Sequence, residues 1–134
     1  MEDLLDRYAE ASDPLRPLVC FDEMPDQLIA ETRTPQPTMP GRAARYDYEY
    51  RRMGTGNLFI FFAPLAGYRH VDVTARRTAV DFAEAMRRLV DLLYPDAAVI
   101  RVVLDNLNTH TGAALYEAFA PAEARRILRR LEFH

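Results

Sequence analysis

Two aspartates stand at equivalent places in the sequence. Asp22 directly follows the apolar run Leu18-Val19-Cys20-Phe21, and Asp105 directly follows Ala98-Val99-Ile100-Arg101-Val102-Val103-Leu104. Short, mostly apolar runs of this kind predict strands buried on both faces. If the two strands are parallel neighbours, both carboxylates emerge at the same edge of the sheet, where α/β folds place their sites. Two adjacent carboxylates repel each other unless a cation sits between them. Mg²⁺ suits that role, because it takes oxygen ligands and keeps waters for a phosphate substrate. Two such ions about 4 Å apart could activate an attacking oxygen and stabilise a leaving one. The plainer reading is that each aspartate ends a strand or caps a turn, and spacing alone does not decide between the two.

The elements that would position these residues follow from periodicity. Met1 to Asp13 carries a weak helical pattern that Pro14 and Pro17 end, so residues 1–17 read as an N-terminal helical or linker segment. The first strand stops at Asp22-Glu23. Four prolines and Gly41 between Pro25 and Arg42 predict an irregular loop. Arg45 to Arg51 alternates, with Tyr46, Tyr48 and Tyr50 on one face, and predicts a half-exposed strand. Gly54-Thr55-Gly56 predicts a turn, Asn57 to Ala63 a second strand and Tyr68 to Val73 a third, giving an antiparallel meander. Thr78 with Asp81 marks a helix start, and Phe82, Met86, Leu89 and Leu93 carry that helix from about Ala79 to Leu93. After the Ala98–Leu104 strand come a polar loop, a short helix near Ala113–Phe119 and a helix opened by Pro121. Leu131 to His134 reads as the start of a further strand.

Composition narrows the class. The chain has 134 residues, 49% of them hydrophobic and 28% charged, which suits one soluble globular domain. Its longest apolar run, Leu58 to Leu65, contains a proline and is far too short to span a bilayer. The single Cys20 excludes an internal disulfide and a multi-cysteine zinc site. A net charge of −3 argues against a strongly cationic, non-specific DNA-gripping surface. All 17 basic residues are arginine, whose planar fork suits phosphate.

The wording around the two aspartates is more specific. Val19-Cys20-Phe21-Asp22-Glu23 and Val103-Leu104-Asp105-Asn106-Leu107-Asn108-Thr109-His110 resemble the first and second acidic motifs of the mariner-related insertion-sequence transposases, a group of DDE superfamily endonucleases. Pro40-Gly41-Arg42, the Arg45–Arg52 stretch, Thr74–Thr78 and Leu115–Phe119 extend the likeness from about Asp13 to His134. The resemblance implies an α/β, ribonuclease H-like mixed sheet, an antiparallel meander plus parallel strands flanked by helices. It assigns residues 18–134 to a catalytic domain incomplete at its C-terminus, with the last strand and helix missing. The implied activity is metal-dependent DNA strand cleavage and strand transfer in transposition, using Mg²⁺ or Mn²⁺, with two ions in the complete enzyme.

By motif position, Asp22 would be the first metal-binding acid and Asp105 the second. Asn106 and His110 would contact DNA phosphate, orient Asp105 or simply close a polar loop. Glu23 points to the face opposite Asp22 in an extended chain, which suits an ion pair or support for the ligands. The third acid belongs on a helix beyond a further strand, and Glu117, Glu123 and Glu132 do not match its motif. Little strand transfer is therefore expected from this chain alone. Arg125 and Arg129 are candidate DNA contacts, and with Arg126 and Arg130 they are expected to face outward. His70 and Cys20 read as packing residues, and the tyrosine stripe as a packed strand face.

The implied partners are DNA (transposon ends and target) and a homo-oligomer or full-length transposase, with no membrane. The implied location is the bacterial cytoplasm, at the nucleoid. Two other readings remain at this point: a non-catalytic remnant that binds DNA or assembles with a transposase, and a small stand-alone ribonuclease H-like nuclease.

Overall fold

The computed structural model describes residues 8–34, 36–45, 49–105 and 110–134. Five strands form one sheet in the order β3-β2-β1-β4-β5: β1 (Leu18–Glu31), β2 (Tyr50–Ala63), β3 (Tyr68–Thr74), β4 (Ile100–Val103) and β5 (Leu131–Phe133). β1, β2 and β3 pair antiparallel, while β4 lies parallel to β1 and β5 parallel to β4. Helix α1 (Ala79–Arg88) connects β3 to β4, and α2 (Gly112–Ala118) and α3 (Pro121–Leu128) connect β4 to β5.

The core lies on one face of the sheet. Alternation along the strands sends Val19 and Phe21, Phe59 and Phe61, and Ile100 and Val102 to the same side. There they pack against Phe82, Met86 and Leu89 of the first helical segment and against Leu115 and Ile127 of α2 and α3. The opposite face is largely bare among the described residues: Phe62, Val71 and Val73 are exposed, and Leu58 and Ile60 are half-buried. Among the described residues, the segment before β1 reaches it. The Tyr8 hydroxyl lies 3.2 Å from Cys20 Sγ. Arg101, 2% exposed, pairs with Glu10 and donates to the Arg16 carbonyl at 2.9 Å.

The first half of the sheet departs from the expected pattern. β1 does not stop at Asp22-Glu23 but continues to Glu31, and residues 24–31 are strand where a loop was expected. Beyond Cys20 its β4 neighbour has ended, so β1 is there an edge strand, and an edge tolerates Pro25. Gly54-Thr55-Gly56 is likewise not a turn but lies inside β2. Leu28 pairs with Gly54 and Ile29 with Arg52, which leaves Met53 as an extra residue, and Gly54 takes φ 109° at this bulge. The alternating strand expected over Arg45–Arg51 is described only at its ends, and Tyr46 and Tyr48 lie outside the described residues; β2 begins at Tyr50. The true reversal is Met39-Pro40-Gly41-Arg42, closed by Arg42 N–H donating to the Met39 carbonyl at 2.8 Å. Pro40 and Gly41 (φ 77°) hold the two central positions a type II turn assigns to proline and glycine.

The first helix is capped as its sequence requires. Asp81 N–H donates to the Thr78 hydroxyl at 3.3 Å, and Thr78 N–H donates back to the Asp81 carboxylate at 2.8 Å. Past Arg88 the helix widens into a π-helical segment, Leu89–Leu93, with Tyr94 N–H donating to the Leu89 carbonyl. The exposed carbonyls at this end are collected by one guanidinium. Arg130, expected to face outward, turns inward and donates to the carbonyls of Val90, Tyr94, Pro95 and Ala97. Carbonyls at and just past a helix end, short of intrahelical partners, suit the fixed fork of guanidinium donors.

The Asp81 carboxyl is held below the ordinary carboxylate range, chiefly by the Thr78 hydroxyl, against the opposing effect of its partial burial. A carboxyl lowered on folding contributes stability above its unfolded value, near about pH 4, and loses it as pH falls through the lowered value. Thr78→Ala should therefore cost about 1 kcal/mol at neutral pH. In urea denaturation followed across pH, its difference from wild type should shrink below about pH 4.

Candidate active site

β1 and β4 run in register, Leu18 beside Arg101, Val19 beside Val102 and Cys20 beside Val103. The ladder ends at Cys20 and Val103, so Asp22 and Asp105 each lie two residues past its last pair. Both aspartates are exposed. Asp22 belongs to the bare face, and its Oδ1 accepts from Glu23 N–H at 2.9 Å.

Glu23 projects to the core face, as expected from its neighbour. There its carboxylate, 3% exposed, meets His110, whose side chain is fully buried. His110 Nε2 lies 2.8 Å from Glu23 Oε1, and its Nδ1 lies 2.6 Å from Asp105 Oδ1. The imidazole stacks on Phe82 with centroids 4.8 Å apart and meets Phe21 edge-on at 5.4 Å. One ring thus joins the core to two acids from separate elements. Asp105, half exposed, keeps its second oxygen outside this contact.

Other candidates lie apart from this cluster. Asn106 falls outside the described residues. Arg125 and Arg129 are exposed on and just after α3, on the helical side of the sheet. Arg126 is bound to Asp91 and Glu123 at 2.7–2.8 Å, which holds both acids below the ordinary carboxylate range. Glu117 is exposed on α2. Glu132, on β5, contacts His134 and Arg16 and pairs in register with Arg101, about 13 Å short of Asp105 along the strand. His70 sits 3.1 Å from Asp72, which also takes Arg88. A cleft of about 410 Å³ lies between β3 and the first helix and is lined by Asp72, Asp81, Arg87 and Arg88, not by Asp22 or Asp105.

Sequence reasoning missed Arg101 as a buried residue. Its signal was present, a lone cation inside the apolar Ala98–Leu104 run, since a charge there requires a partner. The inward turn of Arg130 had no comparable signal, because its acceptors are backbone atoms some 35 positions earlier, counted from Pro95.

The model for the DDE superfamily endonucleases matches residues 17–134. No curated protein matches the chain in sequence. Among solved structures, the Mos1 Strand Transfer Complex aligns with TM-score 0.56 and 18% identity, over 98% of this chain and 38% of that one. The Mos1 transposase paired-end complex with left transposon end gives 0.55 and 18%, over 98% and 38%. The Mos1 mariner paired end complex with Mn gives 0.50 and 20%, over 88% and 37%. The chain spans less than two fifths of the length of these matched chains. At such identities the likeness fixes the fold, which is the expected ribonuclease H-like arrangement.

His110→Ala would remove the ring from between Phe82 and Phe21 and leave the buried Glu23 carboxylate without its imidazole. It should lower unfolding stability by about 3 kcal/mol. Asp105→Asn, at a half-exposed position, should cost under about 1 kcal/mol. Urea denaturation of the two variants would test this ordering.

Proposed function

The chain belongs to the DDE superfamily endonucleases, and we propose on that premise that it forms part of a transposase catalytic domain that cleaves and joins DNA strands. The observation that carries this reading is the parallel pairing of β1 and β4, whose last pair, Cys20 with Val103, stands two residues before Asp22 and Asp105. DNA is the substrate in this reading. The matched Mos1 structures are a strand transfer complex and a complex with a transposon end, which supports that choice. Assembly with a second copy or with a longer transposase belongs to the same reading. Among the described residues no helix is long and apolar enough to cross a membrane.

The donor set fits a hard divalent cation. Two exposed carboxylates suit Mg²⁺ or Mn²⁺ better than a softer metal. The set is open, since no group of three or more His, Cys, Asp or Glu poised for a metal occurs among the described residues. Glu117, Glu123 and Glu132 lie elsewhere, so the reading takes a third acidic ligand from outside the described residues. Asp22 and Asp105 would hold the cation. Bound there, a divalent ion pair supplies Lewis-acid stabilisation of charge on the scissile phosphate. The chain's own part is positional: β1 carries Asp22, His110 holds Asp105 just past β4, and the bare face beside Asp22 leaves room for a DNA backbone.

Mn²⁺ titration by calorimetry, together with nicking of supercoiled plasmid, tests the reading. Wild type should bind Mn²⁺ and nick weakly. Asp22→Asn and Asp105→Asn should each weaken binding by more than about tenfold and abolish nicking while melting near wild type. Mn²⁺-dependent nicking that survives in Asp105→Asn would sink the assignment.

A further inference from the structure

We propose that Glu23 and His110 form a positioning relay that fixes the Asp105 carboxylate before any metal arrives; this rests on the metal-site reading above. Asp105 stands just past the end of β4, half exposed, where a short side chain would otherwise sample several rotamers. His110 removes that freedom. Its Nδ1 takes one Asp105 oxygen at 2.6 Å and leaves the other open.

The histidine can do this because it cannot move. Phe82 covers one face of the ring and Phe21 abuts it edge-on, and the side chain has no exposed surface. Those contacts fix the ring plane, and Glu23 fixes which edge faces Asp105, through the 2.8 Å contact at Nε2. Glu23 is itself anchored in β1 beside Asp22, so the first acid's strand holds the second acid's side chain. A carboxylate buried as deeply as Glu23 persists only when hydrogen-bonded, and the imidazole provides that bond. Groups that orient a metal-binding carboxylate in this way typically change metal affinity by about 10–100-fold when lost.

A purely structural tie between β1 and the segment after β4 would use the same contacts, so the test must read Asp105 itself. In the metal-free protein, hydrogen-bonded and buried imidazole N–H protons give slowly exchanging downfield proton resonances. The His110 signal should be present in wild type, lost in Glu23→Ala and retained in Glu23→Gln, whose amide oxygen still accepts from Nε2–H. Mn²⁺ affinity, measured by calorimetry on the full chain, should fall about 10–100-fold in Glu23→Ala and stay close to wild type in Glu23→Gln. Glu23→Asp keeps the charge but withdraws the oxygens by one methylene, and should also lose affinity, which decides the matter if the alanine variant does not fold. Wild-type affinity in a folded Glu23→Ala or Glu23→Asp protein overturns the relay, as does equal loss in Glu23→Gln and Glu23→Ala. Failure of wild type to bind Mn²⁺ would instead overturn the metal-site reading, and the relay with it.

Discussion

Three parallel pairings, Leu18 with Arg101, Val19 with Val102 and Cys20 with Val103, set the arrangement at the end of the sheet. A slip of one residue would turn one strand's side chains to the other face. A slip of β1 would carry Val19 and Phe21 out of the core. The register is therefore held by the same burial that keeps the protein folded. Side chains such as Phe21, Phe59 and Phe82 each contribute a few kcal/mol when buried, and all of them require this one alignment.

His110 is where that apolar order meets the charged groups. Its ring belongs to the aromatic cluster, in contact with Phe21 and Phe82, while its nitrogens belong to the acids. Packing density gives the ring its fixed place, and hydrogen bonding turns that place into an orientation for a carboxylate. The opposite face has no such cover among the described residues, apart from the segment around Tyr8, Glu10 and Arg16. Asp22 thus sits on the accessible side of a sheet whose other side is closed.

Much of this was legible in the sequence because it depends on local pattern. The helix from Ala79 and the opposed projections of Asp22 and Glu23 follow from periodicities of 3.6 and 2, the Thr78 cap from its residue type and the strand before Asp105 from a short apolar run. The first hairpin was misread where glycine and proline carried tertiary meaning. Gly54 serves a bulge rather than a turn, and Pro25 is tolerated because β4 has ended beside it. Both facts depend on which strand lies next door, and neighbouring residues in the chain do not record that. The pairing of Glu23 with His110 joins positions far apart in the chain; periodicity named the face of Glu23 but not its partner.

The long separation between Asp22 and Asp105 has a consequence for synthesis. A ribosome makes the chain from its N-terminus, so the antiparallel hairpin of β1 and β2 can close while β4 is still unmade. During that interval β1 carries its acidic residues along an unfilled edge, and neither Asp105 nor His110 exists to engage them. The paired carboxylates come into being only when the most sequence-distant strand contact of β1 closes, and closing such contacts is the slow part of folding. A nascent or prematurely released fragment ending before β4 therefore carries Asp22 and Glu23 without Asp105 and His110.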